Sequence, residues 1–294
     1  NGVGSAHADN GADVAIGPNG ELYFTGYFSL SVTFGSTTLS QSNGWSDAFL
    51  VKMQPDGTYD WAVNLGTNGG GTNSWGICYC HRFGHAVDVD SSGNVYIVGD
   101  TAPNSGTSSK KAFIAKFDQN GTFLWALRDN STGPGGSYSH SYARGVAVDS
   151  SGAVFITGHF ESSVAFGTHQ RNQTASGDQD GFIFKINPDG TSAWAKKVQA
   201  IGNSRHCDFN DIEVDSQDYL ILVGNEGGDD YGNSCDFSDS SGTTSITDSV
   251  YIARLNGATK QWDWVNGINY DKAMDVAVGP ADEIAVVGDS SSSG

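Results

Sequence analysis

A single phrase recurs through this chain and fixes most of what it can fold into. From Val87 to Asp100 it reads VDVDSSGNVYIVGD. Val87, Val89, Val95, Ile97 and Gly99 alternate with other residues, the period of a β-strand rather than a helix. Between the two halves, Asp90-Ser91-Ser92-Gly93-Asn94 is turn chemistry. Asp and Ser side chains bond back to the backbone there, and Gly takes a positive φ. The phrase returns as VAIGPNGELYFTGY from Val14, VAVDSSGAVFITGH from Val146, IEVDSQDYLILVGN from Ile212 and VAVGPADEIAVVGD from Val276. Each copy predicts a hairpin of two strands, a and b.

The copies start 73, 59, 66 and 64 residues apart, too long for a helical pair and right for a sheet of about four strands. A second hairpin, c–d, lies in each interval. It reads DAFLVKMQPDGTYDW from Asp47, KAFIAKFDQNGTFLW from Lys111, DGFIFKINPDGTSAW from Asp180 and SVYIARLNGATKQWDW from Ser249. Strand d carries Trp61, Trp125, Trp194 and, after a longer turn, Trp264. Lys52, Lys116, Lys185 and Arg254 recur at one strand c position, which predicts a structural pairing with a neighbouring carboxylate. Four antiparallel strands repeated about an axis make a β-propeller. Tight turns inside each repeat argue against a β-solenoid.

The predicted fold is therefore all-β: four complete blades and the a–b hairpin of a fifth, about 18 strands in all. The units run over about 14–86, 87–145, 146–211 and 212–275, with a partial unit at 276–289 and a linker-like Ser-rich stretch at 290–294. The unpaired fifth hairpin leads us to expect a segment of a larger ring or protein.

The c–d hairpin, the following Trp and the AVDSSGNVYVTG-like a–b hairpin resemble, in order and residue type, the bacterial β-propeller repeat family called SBBP. The likeness covers nearly the whole chain. It implies a secreted or surface-attached bacterial protein and carries no assigned chemistry.

Charge narrows the partners. Fifteen Lys and Arg against 33 Asp and Glu give a net charge of −18, which opposes binding of nucleic acid or an anionic bilayer through a basic surface. No apolar run is long enough to span a membrane as a helix, so no membrane insertion is expected.

In this strand order the b–c and d–a connections leave on one face, and loops on rigid scaffolds carry function. The candidate binding residues on that face are Trp75, Tyr79, His81, Arg82, Tyr138, His140, Tyr142, Arg144, Arg205 and His206. Aromatic rings there suit sugar stacking or a partner's pockets, and equally suit bracing Gly-rich loops. His81, His140 and His206 each stand six residues before the start of the phrase, so three imidazoles at equivalent positions are a candidate metal set. Glu226, Asp229, Asp230, Asp236 and Asp239 are candidate ligands for a structural Ca²⁺, although their spacing is not that of an EF-hand. A solvated acidic loop is the plainer reading of the same residues.

Four cysteines are present. Cys207 precedes strand a of the fourth unit and Cys235 lies in its b–c connection, so a Cys207–Cys235 disulfide is expected, in keeping with an oxidising exterior. Cys78–Cys80 is a second, close-spaced candidate bridge. HExxH, GxSxG, P-loop and GxGxxG patterns do not occur, and no catalytic residue is assigned. The leading expectation is a non-enzymatic extracellular or cell-surface scaffold or adhesion module that binds a glycan or protein through its long-loop face. A structural subunit of a surface assembly, joined to copies of itself, is the alternative. A glycoside hydrolase or lyase using the axial pocket is the third reading, and it requires two suitably spaced carboxylates.

Overall fold

Three of the five a–b turns, those led by Asp90, Asp149 and Asp215, close on one device. Asp90 accepts the N–H groups of Ser92 and Asn94 at 2.9 and 2.8 Å, and Asp149 does the same for Ser151 and Ala153 at 3.0 and 2.9 Å. These bonds pre-form the reversal, so the flanking apolar residues fall into register as strands. The computed structural model describes residues 9–41, 46–66, 81–102, 109–131, 139–173, 178–202, 206–227, 234–268 and 271–289, with His81 and Ala102 described by their backbone alone. Its described residues form 24 strands and no helix, so no helix is long and apolar enough to cross a membrane.

The chain divides into two compact units, Asn1–Arg128 and Asp129–Gly294. The first holds blades one and two. Blade one is built from β1 (Asn10–Ile16), β2 (Leu22–Phe28), β5 (Asp47–Met53) and β6 (Tyr59–Asn64), in that order across the sheet. Its b–c connection forms a separate hairpin, β3 (Ser31–Phe34) and β4 (Thr37–Ser40). Blade two runs β7 (His81–Val89), β8 (Val95–Ala102), β9 (Lys111–Phe117) and β10 (Phe123–Arg128). β7 packs on β1 and β2, and Tyr23, Leu50, Val87, Ile97 and Phe113 fill the space between the two sheets.

The second unit repeats the plan. Blade three is β11 (His140–Val148), β12 (Val154–Glu161), β15 (Asp180–Ile186) and β16 (Ser192–Ile201), with a b–c hairpin of β13 (Ser163–Phe166) and β14 (His169–Asn172). Blade four is β17 (His206–Val214), β18 (Tyr219–Gly227), β21 (Val250–Asn256) and β22 (Trp262–Ile268). Its b–c connection forms β19 (Ser234–Asp239) and β20 (Gly242–Ile246). A last pair, β23 (Lys272–Val278) and β24 (Ile284–Asp289), is the lone a–b hairpin. Antiparallel four-stranded sheets packed inner strand to face, within each unit, are propeller blades, and the fold is a β-propeller.

Two expectations need correction. The strand count rises from about 18 to 24 because each of the three long b–c connections is itself a hairpin. Each of the first two of these hairpins contributes an aromatic residue to its blade: Phe34 packs on Phe24 and Phe49, and Phe166 on Phe184. The inner strands also begin earlier than the phrase, at His81, His140 and His206. Each inner strand carries a β-bulge, at Gly11/Asp13, Gly84/Ala86, Ala143/Gly145, Phe209/Asp211 and Ala273/Asp275. A bulge adds one residue and breaks the period of two, which hides the first half of the strand from a reading of alternation.

The recurring strand c cation behaves as expected. Lys52 lies 3.5 Å from Glu21, Lys185 3.0 Å from Asp149 and Arg254 2.6 Å from Asp215. Each is directly opposite a strand d tryptophan in the ladder, Lys52 to Trp61, Lys116 to Trp125, Lys185 to Trp194 and Arg254 to Trp264. Consecutive turns in the second unit are latched as well. Ser150 donates its N–H and hydroxyl to Asp218 at 2.8 and 2.7 Å, and Ser216 does so to Asp282 at 2.9 and 2.7 Å. Both aspartates stand where other turns have glycine, with φ of +61°, a conformation Asp tolerates better than most residues.

Candidate functional site

The second unit gathers titratable and aromatic side chains at the start of its inner strands. β11 brings His140 and Tyr142 to one face by strand alternation. Tyr142 pairs across the ladder with His159 of β12, so the two rings stack with centroids 4.7 Å apart at 28°. His140 lies nearly parallel to Tyr142 at 6.4 Å. Arg144, the bulge residue between Ala143 and Gly145, turns its guanidinium over the same Tyr142 ring, at 5.2 Å. His140, Tyr142 and Arg144 are half-buried, so part of the stack faces solvent.

β17 supplies the other wall. Asp208 Oδ1 approaches His159 Nδ1 at 3.6 Å. Burial pushes the Asp208 carboxyl up to about 6, and Glu161 pushes in the same direction; the charges of His206, Arg144 and Lys272 restrain the rise. The Asp208 carbonyl accepts the hydroxyl of Tyr251 at 3.0 Å, and burial raises that phenol well above its ordinary value. Glu161 accepts the Gln179 side-chain amide at 2.7 Å. The Gln179 carbonyl in turn accepts Cys207 N–H at 2.8 Å, which fixes the start of β17 against blade three. The expected Cys207–Cys235 disulfide is present, with Cα atoms 5.7 Å apart, and ties β17 to β19.

The residues expected on the loop face divide into three groups. His140, Tyr142, Arg144 and His206 come together here, on strands rather than loops. Arg82 does not belong with them. Its side chain is 1% exposed and bonded to Asp47 at 3.2 Å, an internal ion pair between β7 and β5, which corrects its placement as a surface binding residue. Trp75, Cys78, Tyr79, Cys80, Tyr138, Arg205, Asp229 and Asp230 lie outside the described residues, as does the side chain of His81.

Among the described residues no group of three or more His, Cys, Asp or Glu side chains is placed to hold a metal ion. Of the acidic set expected to bind Ca²⁺, Glu226 lies on β18 next to its last residue, whereas Asp236 and Asp239 lie on β19. Asp236 accepts the Ser245 hydroxyl at 2.6 Å, and Asp239 accepts the N–H groups of Ser241 and Trp262 at 2.8 and 2.7 Å. These two carboxylates brace the hairpin and the neighbouring strand.

His159, Asp208, Glu161 and Gln179 escaped the sequence reading. His159 is the last residue of the third copy, at a place that holds Tyr27, Asp100, Asn225 or Asp289 in the others, and Glu161 lies two residues past it, so the shared pattern did not single them out. Asp208 was recoverable: it occupies the inner-strand position of Tyr142, once the bulge is allowed for.

No family model matches the chain, and no curated protein matches it in sequence. Among solved structures it is similar to a protein of unknown function from Bacteroides caccae, at 9% identity and a TM-score of 0.45, over 93% of this chain and 68% of that one. BamB from Moraxella catarrhalis is similar at 16% identity and a TM-score of 0.41, over 95% and 71% of the two chains. The gluconolactonase XC5397 from Xanthomonas campestris is similar at 10% identity and a TM-score of 0.44, over 96% and 84%.

Proposed function

We propose that this chain is a β-propeller binding module of a secreted or surface-exposed bacterial protein, and that its second unit engages a glycan through the stack centred on Tyr142. The observation that carries the reading is the half-buried Tyr142 ring, held between His140 and His159 with Arg144 over it. A ring fixed in this way offers its exposed part as a rigid apolar contact at little entropic cost, and the adjacent guanidinium offers donors to hydroxyl or carboxylate groups. The Cys207–Cys235 disulfide supports an oxidising compartment, and the likeness to the SBBP repeat agrees with it. A protein loop rich in hydroxyl and carboxylate groups is the alternative ligand for the same surface.

The test is a glycan array probed with the purified chain and with Tyr142→Ala and Arg144→Ala. Binding to a defined glycan class is expected, weakened by about tenfold or more in each variant while the circular dichroism stays unchanged. A chain that binds no glycan, or variants that bind as well as the parent, would sink this reading.

One observation favours a second reading, an enzyme. A carboxyl that titrates near neutrality beside an imidazole, as Asp208 does next to His159, is suited to proton transfer. Turnover of chromogenic glycosides that disappears in Asp208→Asn would favour that reading over the binding module.

A further inference from the structure

The outer edge of blade three gathers cations that the chain leaves unbalanced. Lys52, Arg82, Lys185, Lys197 and Arg254 each lie 3.5 Å or less from a carboxylate. Arg171, Lys196 and Lys260 form no ion pair among the described residues. Acidic side chains outnumber basic ones 33 to 15, so three unpaired cations in one place do not follow from composition.

Three elements of the second unit bring them together. Arg171 of β14 donates through Nη2 to the Ala195 carbonyl of β16, and through Nη1 to the Gln170 carbonyl at 2.8 Å. Lys196, the next residue of β16, donates to the carbonyls of Ser238 at 2.8 Å and Lys260 at 3.0 Å. Lys260 is exposed in the c–d turn of blade four, with φ of +64°. Arg171 and Lys196 are half-buried. Neutral carbonyls therefore orient these two cations without cancelling their charge, and N–H groups of both remain to be bonded.

Acceptors are scarce beside them. Lys196 Nζ lies 5.0 Å from the centre of the Trp262 ring, and the indole N–H of Trp262 is buried with no acceptor among the described residues. One carboxylate, Asp239, acts on Lys196, but it is not paired with it and already accepts the N–H groups of Ser241 and Trp262. Burial lowers the Lys196 ammonium to about 8; Asp239 opposes the fall, and the charges of Lys260 and Arg171 add to it. Three cations against one carboxylate leave an excess of two positive charges.

We propose that Arg171, Lys196 and Lys260 form a binding site for a tetrahedral oxyanion, phosphate or sulfate, carrying about two negative charges. Its oxygens accept from the guanidinium fork and the ammonium groups together, whereas one carboxylate would balance only half of the excess. The site lies between blades three and four and shares no residue with the Tyr142 stack. The oxyanion is either a free ion or the ester group of a larger ligand, which presents the same oxygens.

The test uses the full chain with ¹³C-labelled lysine, the Lys196 signal being assigned by its loss in Lys196→Arg. Its titration midpoint is followed by NMR with inorganic phosphate, with sulfate, with glucose 6-phosphate, and with chloride at matched ionic strength. Phosphate and sulfate are expected to raise the midpoint saturably by about one pH unit or more, and chloride to leave it in place. Arg171→Gln and Lys260→Gln are each expected to raise the phosphate concentration needed by about tenfold. Lys260→Gln alters an exposed side chain and keeps the carbonyl that Lys196 uses, so it reads the site without disturbing the fold. Tighter binding of glucose 6-phosphate than of phosphate assigns the site to an esterified group, and the reverse assigns it to the free ion. A midpoint that neither phosphate nor sulfate moves, one that chloride moves equally, or variants that bind phosphate as well as the parent would overturn the proposal.

Discussion

Asp211 is the residue whose replacement tests the packing of the second unit most directly. It follows the bulge in β17 and accepts Val276 N–H of β23 through Oδ2 at 2.9 Å. Burial raises its carboxyl, a hydrogen bond with Asp275 raises it further, and the N–H groups of Val276 and Ile212 oppose them; the result is about 9. The folded value is therefore above the unfolded one. The group's contribution to stability is complete below the ordinary carboxylate range, declines as pH rises, and is gone above about pH 9. The slope across that window is at most about 1.4 kcal/mol per pH unit. Asp211 is partly exposed and solvent screens it, so about half of that slope, or about 2 kcal/mol between pH 5 and 8, is the expected effect. Asp211→Asn keeps an acceptor for Val276 and a donor for Asp275 and removes the titration. Urea unfolding of both proteins at pH 5, 6, 7 and 8 is expected to give a variant that matches the parent at pH 5 and exceeds it by about 2 kcal/mol at pH 8. Parallel stability curves, or a variant that is weaker at pH 8, would refute the raised Asp211 carboxyl.

Replacing Cys207 and Cys235 together by Ser opens a crosslink of sequence separation 28, and the chain-entropy estimate is a loss of about 3–4 kcal/mol, read as a lower urea midpoint. Lys185→Met leaves the buried Asp149 without its cation. Burial favours the neutral acid there, but bonds from Ser151, Lys185 and Ala153 hold the carboxyl below its usual range. A loss of about 1–2 kcal/mol is expected at neutral pH, shrinking as acid protonates Asp149 in both proteins, and a pH-independent loss would count against the pairing.

The repeat was legible because a tight turn and the same two-residue period recur at every copy, with an Asp-led turn in three of the five. Asp90, Asp149 and Asp215 announce the turns, and Trp61, Trp125, Trp194 and Trp264 mark the outer strand. The inner-strand starts were not legible, because the bulges at His85, Arg144 and Asn210 interrupt the alternation on which strand recognition rests. The three b–c hairpins were hidden for another reason. Polar residues dominate β4 (TTLS), β14 (HQRN) and β20 (GTTSI), and only contact with a neighbouring sheet makes strands of such residues. The site was half legible. His140, Tyr142, Arg144 and His206 stood out by type and spacing, whereas their neighbours His159 and Asp208 acquire meaning only when blade three packs on blade four. Arg82 stood out in the same way and proved to be an internal ion pair, since spacing does not report burial.

The β19–β20 hairpin belongs to blade four by sequence and to blade three by pairing. Gln199, Ala200 and Ile201 of β16 are matched with Asp236, Cys235 and Ser234 of β19, giving a six-stranded sheet. Lys196 of β16 then donates to the carbonyls of Ser238 and Lys260 at 2.8 and 3.0 Å, and Asp239 accepts the N–H of Trp262 on β22. Neither blade can come apart alone without stripping strands, the disulfide or these bonds from the other. Under a pulling force or in denaturant, blades three and four are one melting step rather than two. Among the described residues, blades one and two, whose b–c hairpin β3–β4 pairs with no other sheet, show no such strand exchange to couple their loss.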